Sequence, residues 1–495
     1  MSDRISRKKF IGLVGAGSLG GMIGSPSEAT AASKGNNPIT TENAKPGTNA
    51  WEIFNLATNR EIEGYANRTS VSAGQSISFF VNTTSASFDI KIYRLGWYGG
   101  QGGRLHRSSG VRAGIKQVIP KPNATTGLCE CNWKTPWTTT LPTGASAWVS
   151  GYYVAKLTTK EGKETHIPFV VRDDKRAATY MVQASVTTWQ AYNAWGGKSL
   201  YDHNSTNNKR ATKVSFNRPY DGYGSTDFYN PYSFAGWELN DLRFFEKEGY
   251  DVKYVTNIDI HEDPSRLYWV KAFISHGHDE YWSMVMRDNI EYARTEGLHL
   301  AFLGANMAYW QIRLEAGLGN VANRTMVCYK DVGLDPVSKS TNPNVRATAT
   351  GQWREVDQGG YTRPEVELLG VQYYFWPVND DIVVKNTNHW LFAGTGLKDG
   401  DVLAGLCGYE ADCITPDSPS NVVVLAESPI DTGEVVGFHN MTVYEHSSGA
   451  IVFATGSMQW AWGLDNFFAG AVHPNLVNPA AIKIMYNLMD AFAVQ

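Results

Sequence analysis

Cysteine is scarce in this chain, five among 495 residues, and none stands in a Cys-x-x-Cys pair or at the Cys/His spacing of a zinc site. A thiolate-bound metal is therefore not expected. Cys129 and Cys131 are too close to bridge without strain, Cys407 with Cys413 is a conceivable pair, and Cys328 and the rest read as packed or free thiols. Charge of one sign is also lacking: 44 Lys+Arg stand against 48 Asp+Glu, and no basic run extends beyond Arg7, Lys8 and Lys9. Nucleic acid is therefore excluded as a partner. Past the N-terminus no segment approaches the ~18 consecutive apolar residues that span a bilayer, so the processed chain has no membrane span. No repeat of fixed period is present, which disfavours a propeller or solenoid.

What is abundant is aromatic surface, 16 Trp and 25 Tyr, while charged residues make up only 19%. Such a composition is too hydrophobic for disorder, and at roughly 150 residues per domain the length allows two to four domains with sizeable cores. The first residues read Ser6-Arg7-Lys8-Lys9-Phe10-Ile11, then an apolar, Gly-rich stretch to Gly24, then Ala29-Thr30-Ala31. This order is that of a signal peptide over residues 1–31, cleaved near Ala31, and predicts a periplasmic or secreted protein. The Ser-Arg-Lys-x-Phe core resembles a twin-arginine signal with Lys in place of the second Arg. An ordinary secretory signal or a short membrane anchor is the alternative.

Residues 32–50, rich in Ser, Gly, Asn, Pro and Thr, read as a linker. From Trp51 to about residue 172, period-two runs such as Phe88-Asp89-Ile90-Lys91-Ile92-Tyr93 are bounded by Gly, Asn and Asp, which predicts an antiparallel, Ig-like β-sandwich. From residue 173 to 495, continuous apolar strands alternate with helical stretches at 237–248, 283–295 and 480–493. That succession predicts a doubly wound α/β domain, interrupted at about 317–449 by a β-rich insertion.

Ligands of an open α/β sheet bind at the carboxyl ends of its strands. The segments there begin at Thr187, His276, Gly304 and Gly456, and all carry polar residues among aromatics. His278 and Glu280, two apart before a helix, can turn toward one point, as a general base and a hard metal ligand must; equally, His276, Asp279 and Glu280 can simply cap the helix that opens at Ser283. Asn306 can hold a substrate carbonyl or stabilise a tight turn. Tyr192 and Tyr201 can be phenolate ligands, stacking surfaces or packing residues. No Gly-x-Ser-x-Gly elbow follows a strand, and no Cys lies in these segments, so a nucleophilic triad is not expected.

Several stretches carry a resemblance: Tyr93-Arg94-Leu95-Gly96-Trp97-Tyr98-Gly99-Gly100, Trp189-Gln190-Ala191-Tyr192-Asn193, Ser199-Leu200-Tyr201, Gly277-His278-Asp279-Glu280-Tyr281-Trp282, Leu303-Gly304-Ala305-Asn306, Gly408-Tyr409-Glu410 and Gln459-Trp460-Ala461-Trp462-Gly463-Leu464-Asp465. With them the chain, from about residue 50 onward, resembles the large (β) subunit of N,N-dimethylformamidase and bacterial proteins sharing its C-terminal region. The resemblance implies one mononuclear iron, acting as a Lewis acid in amide hydrolysis. Its ligands would be Tyr192, Tyr201 and Glu280. His278 would be an acid/base or hydrogen-bonding group, Asn306 would orient the amide, and Glu410 is a weaker match for a further carboxylate. Two phenolates and a carboxylate make a hard anionic set that suits a ferric ion. The chain departs from the resemblance in its export signal, in the nine-residue spacing from Tyr192 to Tyr201, and in Asp279 between His278 and Glu280.

The expected activity is hydrolysis of a C–N bond in a small or exported amide, with Trp189, Trp310 and Trp460 lining the substrate; a homo-oligomer or a small partner subunit is compatible with it. The alternative is an exported carbohydrate-binding or surface protein in which Trp97, Trp189, Trp195, Trp282, Trp310, Trp460 and Trp462 form sugar platforms without catalysis.

Overall fold

The computed structural model of the chain describes residues 34–221, 234–471 and 473–494. The expected signal peptide lies outside them. The expected linker does not remain a linker over its described part: Pro38–Asn43 is a helix, capped by the Asn37 side chain, which accepts from Ile39 N at 2.8 Å and Thr40 N at 3.0 Å. Ile39 is fully buried, and buried Glu42 pairs with Arg104 and Lys45. Asn43 adds to this docking, its Oδ1 accepting the backbone N–H groups of Trp97 and Tyr98 and its Nδ2 donating to Glu246.

Residues 62–172 form two facing sheets. In the three-stranded sheet Ser76–Thr83 lies between Ile62–Ala66 and Trp137–Thr140; the six-stranded sheet runs Ser70–Ser72, Glu164–Arg172, Gly151–Thr159, Ser87–Leu95, Gly103–Ser108, with Arg112–Ala113 also on Ser87–Leu95. Alternation decides which side chains turn inward, as Ile77, Phe79 and Val81 do opposite Ile90, Phe169 and Val171. The pairing is not wholly antiparallel, because Ser70–Ser72 runs parallel to Glu164–Arg172.

Seven strands form the central sheet, in the order Val252–Thr256, Tyr180–Ala184, Ala272–Gly277, His299–Gly304, Ile451–Ala454, Val436–Glu445, Val423–Asp431. The first five are parallel, and four of them are buried at every position, as strands covered on both faces must be. The last two are antiparallel and extend the same sheet, so this part of the expected insertion completes the α/β core. The rest of the insertion includes the long hairpin Gln372–Val383 and Val402–Cys413. All five cysteines are free. Cys407 and Cys413 sit on one extended strand, where six residues at ~3.3 Å each hold them about 20 Å apart.

The helix Met284–Thr295 opens on Ser283, whose hydroxyl accepts from Met286 N, and buries Met286, Ile290 and Ala293 along one stripe. Ser283 is thus the cap, and the His276, Asp279 and Glu280 side chains are free for other contacts. Arg94, from the Tyr93-Arg94-Leu95-Gly96 stretch, ties the six-stranded sheet to the helix Leu239–Lys247. Its guanidinium grips Glu246 at 2.7 and 3.0 Å, with neither side chain exposed. Gly96 has no room for a side chain there, since a Cβ would lie 2.8 Å from Arg94 Nη1 and 2.9 Å from Glu246 Oε2.

Candidate functional site

Four segments bring the site together. Residues following Tyr180–Ala184, expected as a loop, form the helix Val186–Tyr192 and present Tyr192 at its end. Ala272–Gly277 leads into His278 and Glu280, and His299–Gly304 into Asn306. The strand Trp310–Glu315 lies parallel to Tyr281–Ser283, with Tyr281 opposite Trp310.

Glu280 is the centre of this arrangement. The Tyr192 hydroxyl donates to its Oε2 at 2.9 Å, and the Tyr201 hydroxyl lies 2.9 Å from Oε2 and 3.1 Å from Oε1. The two phenol rings stack with centroids 4.2 Å apart. Trp310 Nε1 donates to Oε1 at 2.7 Å, the Glu280 backbone N–H donates to Thr188 Oγ1 at 2.9 Å, and the Tyr281 hydroxyl donates to that of Tyr201 at 2.7 Å. His278 Nε2 stands 3.3 Å from Glu280 Oε2 and 3.2 Å from the Tyr192 hydroxyl, and its Nδ1 stands 3.8 Å from Glu410 Oε2. Asn306 completes the ring of groups with a side-chain hydrogen bond to Glu410.

The electrostatics follow from burial in close company. Burial opposes charge on His278, but the carboxylates of Glu410 and Glu280 outweigh it and raise its pKa to about 9. Burial raises Glu410 to about 7 against the pull of His278. On Glu280 burial works upward too, yet its hydrogen bond and attraction to His278 hold the carboxyl below its ordinary range. Burial, then the Glu280 charge, pushes both Tyr192 and Tyr201 well above the ordinary phenol range.

Among the described residues no group of three or more His, Cys, Asp and Glu has the arrangement of a metal site. The donor set here is of another kind, two phenol oxygens and a carboxylate within hydrogen-bond distance. This set would fit a hard cation: such an ion would take the place of the phenol protons now shared with Glu280, and its charge would offset two phenolates in a buried place. Around the set, His278 Nδ1, Glu410 Oε2 and Asn306 Oδ1 are buried without a hydrogen-bond partner, acceptor and donor capacity that a ligand or water would satisfy.

Two of the expected substrate-lining tryptophans lie elsewhere. Trp189 donates from Nε1 to Glu238 at 2.6 Å, inside a buried network with Tyr152, and Trp460 is packed in the main core. Trp310 reaches the site, but as a donor to Glu280. His276 is drawn away from the site, its Nδ1 lying 3.1 Å from Asp241, and Asp279 accepts from Gln183, Ser275 and Asn257 beneath the sheet edge. Of the seven tryptophans considered for a sugar-binding surface, Trp189, Trp195, Trp282, Trp460 and Trp462 are buried, and Trp97 and Trp310 are partly exposed.

Lys330 escaped the sequence reading. Its Nζ lies 3.2 Å from the Tyr201 ring centroid and 4.8 Å from that of Trp310, and burial pushes its pKa down to about 8. A lone lysine at Cys328-Tyr329-Lys330, outside every strand-end segment, carries no signal of this placement; the antiparallel pairing of Thr325–Val327 with Trp310–Glu315 supplies it.

An α/β sheet joined to β-sheets, with two phenol hydroxyls, a carboxylate and a histidine gathered at the carboxyl edge of its parallel strands, makes this an α/β-plus-β protein with a buried polar centre. The chain belongs to the N,N-dimethylformamidase beta subunit-like family, whose C-terminal region matches residues 89–475. No curated protein matches it with significance. Among solved structures it is similar to a Paenibacillus sp. cycloisomaltooligosaccharide glucanotransferase complexed with cycloisomaltoheptaose, at 9% identity and TM-score 0.16 over 48% of this chain and 44% of that one. It is also similar to the beta-glucuronidase of Faecalibacterium prausnitzii, at 9% identity and TM-score 0.12 over 48% of this chain and 42% of that one. The chain spans less than half the length of either, and likenesses this low carry no argument.

Proposed function

We propose that the protein is an exported hydrolase that cleaves the C–N bond of a small amide, with Tyr192, Tyr201 and Glu280 holding a single ferric ion. The observation that carries this reading is the convergence of two phenol hydroxyls on one carboxylate, at 2.9 to 3.1 Å, deep in a site edged by His278 and Glu410. Family membership supports the reaction class. When bound, the ion supplies Lewis acidity toward an amide carbonyl and toward water.

The chain's own groups do the rest. Glu410, with a pKa near 7, suits a general base that takes a proton from the attacking water. His278 stays protonated to about pH 9 and holds the Glu410 carboxylate in its active charge state. The proton returns from this pair to the amide nitrogen as the C–N bond breaks, leaving a carboxylic acid and an amine. Asn306, its amide on Glu410 and its oxygen unpartnered, orients the substrate or the water beside them. The partner is thus a small-molecule amide, and no helix among the described residues is long and apolar enough to cross a membrane. Export belongs to the same proposal and is checked by the mass of the mature chain, expected to begin after about Ala31.

The test is metal analysis of purified protein loaded with iron in air. One iron per chain and a visible phenolate charge-transfer band are expected, together with release of formate from N,N-dimethylformamide or of acid from another small amide. Colourless protein that retains no iron overturns the proposal.

A further inference from the structure

Resting on this function, we infer that Asp412 is the positioning residue that sets Asn306 against Glu410. Glu410 and Asp412 are two apart on the strand Val402–Cys413, so both side chains leave the same face. Glu410 reaches the reacting groups, whereas Asp412 stops one layer behind them. There its Oδ1 accepts the backbone N–H of Asn306 at 2.9 Å, with the Asp412 side chain almost wholly buried.

The turn that carries Asn306 needs such an anchor. Asn306 and Ala308 both occupy the left-handed region, at φ 55° and 50°, a costly conformation for Ala in particular. On its far side the turn is held by the ligand-bearing segment, Ala308 N donating to Asp279 O at 2.8 Å and Trp310 N to Glu280 O at 2.9 Å. On its near side the Asp412 carboxyl accepts the Asn306 N–H. The turn is therefore suspended between the Glu280 segment and the Glu410 strand, and the length of the Asp412 side chain fixes how far Asn306 stands from Glu410. Burial lifts the Asp412 pKa to about 8, so at neutral pH the carboxyl is uncharged and anchors the turn without adding a negative charge beside Glu410. Asparagine has the same shape and the same accepting oxygen; alanine leaves the Asn306 N–H buried without an acceptor.

The experiment compares full-length wild type, Asp412→Asn and Asp412→Ala by two readouts. Hydrogen exchange, followed by mass spectrometry over the peptide containing residues 303–309, is expected to quicken at least about tenfold in Asp412→Ala and to stay unchanged in Asp412→Asn. With N,N-dimethylformamide, kcat is expected to fall about tenfold or more in Asp412→Ala with KM within twofold, and Asp412→Asn is expected to keep wild-type turnover. If Asp412→Ala does not fold, Asp412→Ser, whose hydroxyl is too short to reach the N–H, replaces it. Equal exchange in all variants overturns the inference, as does loss of turnover in Asp412→Asn equal to that in Asp412→Ala. A wild type that releases no formate speaks against this substrate or the proposed reaction, while the exchange comparison still decides the role of Asp412.

Discussion

At the scale of single residues, the site is a competition for the oxygens of Glu280. Tyr192, Tyr201 and Trp310 all donate to that carboxylate; in the proposed iron site the two tyrosines would be ligands and Trp310 an outer partner of Glu280. Glu280→Ala removes the acceptor on which the phenols converge, and iron content after dialysis is expected to drop from one per chain to near none, because two phenolates alone give too few ligands. His278→Ala leaves the three oxygens in place and is expected to keep iron while lowering turnover by about a hundredfold, within the usual range for an acid/base group. Equal iron in wild type and Glu280→Ala would reduce the glutamate to a packing residue. Trp310→Phe keeps an aromatic ring, though a smaller one, and loses the 2.7 Å hydrogen bond; iron affinity is expected to fall about tenfold, as for other outer partners of metal ligands, measured by competition with a chelator. Lys330 adds a cation over the Tyr201 ring. Its removal in Lys330→Met raises the energy of the phenolate electrons, so the charge-transfer band is expected to move to longer wavelength, and an unmoved band would place Lys330 outside the electronic reach of the centre.

At the scale of elements, one strand of the central sheet and one of the six-stranded sheet each carry a buried histidine that the fold favours as neutral. On the Val436–Glu445 strand, His439 contacts Ser428 Oγ through Nδ1 at 3.2 Å and Thr455 O through Nε2 at 2.9 Å, and burial lowers its pKa to about 4. In the six-stranded sheet, burial lowers His166 to about 3. With a folded pKa below the unfolded one near 6.5, the unfolded chain binds more protons between the two values. The stability from keeping these imidazoles neutral is therefore complete above about pH 6.5 and is lost as pH falls toward 4. A shift of this size corresponds to on the order of 3 kcal/mol for His439. Melting between pH 7 and 4.5 is expected to decline less in His439→Gln than in wild type; parallel declines would show that His439 does not contribute to acid lability.

At the scale of the whole molecule, the N-terminal sheets are fastened to the α/β core by the ion pair of Arg94 with Glu246, which lacks solvent on either side. Breaking one partner strands the other as a buried charge, so Arg94→Ala is expected to cost about 3–5 kcal/mol, read as a lower midpoint in urea unfolding. Arg94→Met with Glu246→Leu should recover most of that loss, since removing both charges also removes the cost of burying them. A small effect of Arg94→Ala would mean that the sheets are held mainly by apolar contact.

Legibility from sequence divides along the same lines. Alternation marked the β-strands of residues 62–172, and unbroken apolar runs marked Tyr180–Ala184, Ala272–Gly277 and His299–Gly304, because a strand wet on one face and a strand covered on both have different residue periods. Knowing those strands was enough to name the edge on which Tyr192, His278, Glu280 and Asn306 sit. Periodicity did not reveal that residues 34–50 dock through Ile39, or that Val423–Asp431 and Val436–Glu445 extend the central sheet, since both depend on partners distant in the chain. The same holds for Trp189 and Trp460, whose rings read as ligand surfaces until packing buried them, and for Lys330 and Asp412, which no local pattern distinguishes from other charged residues. Local residue order by itself determined which segments become strands and helices, because backbone geometry repeats over a few residues. Only the tertiary structure decided which polar side chains face one another, because a carboxylate's partners are chosen by distance in space and by the loss of water around them.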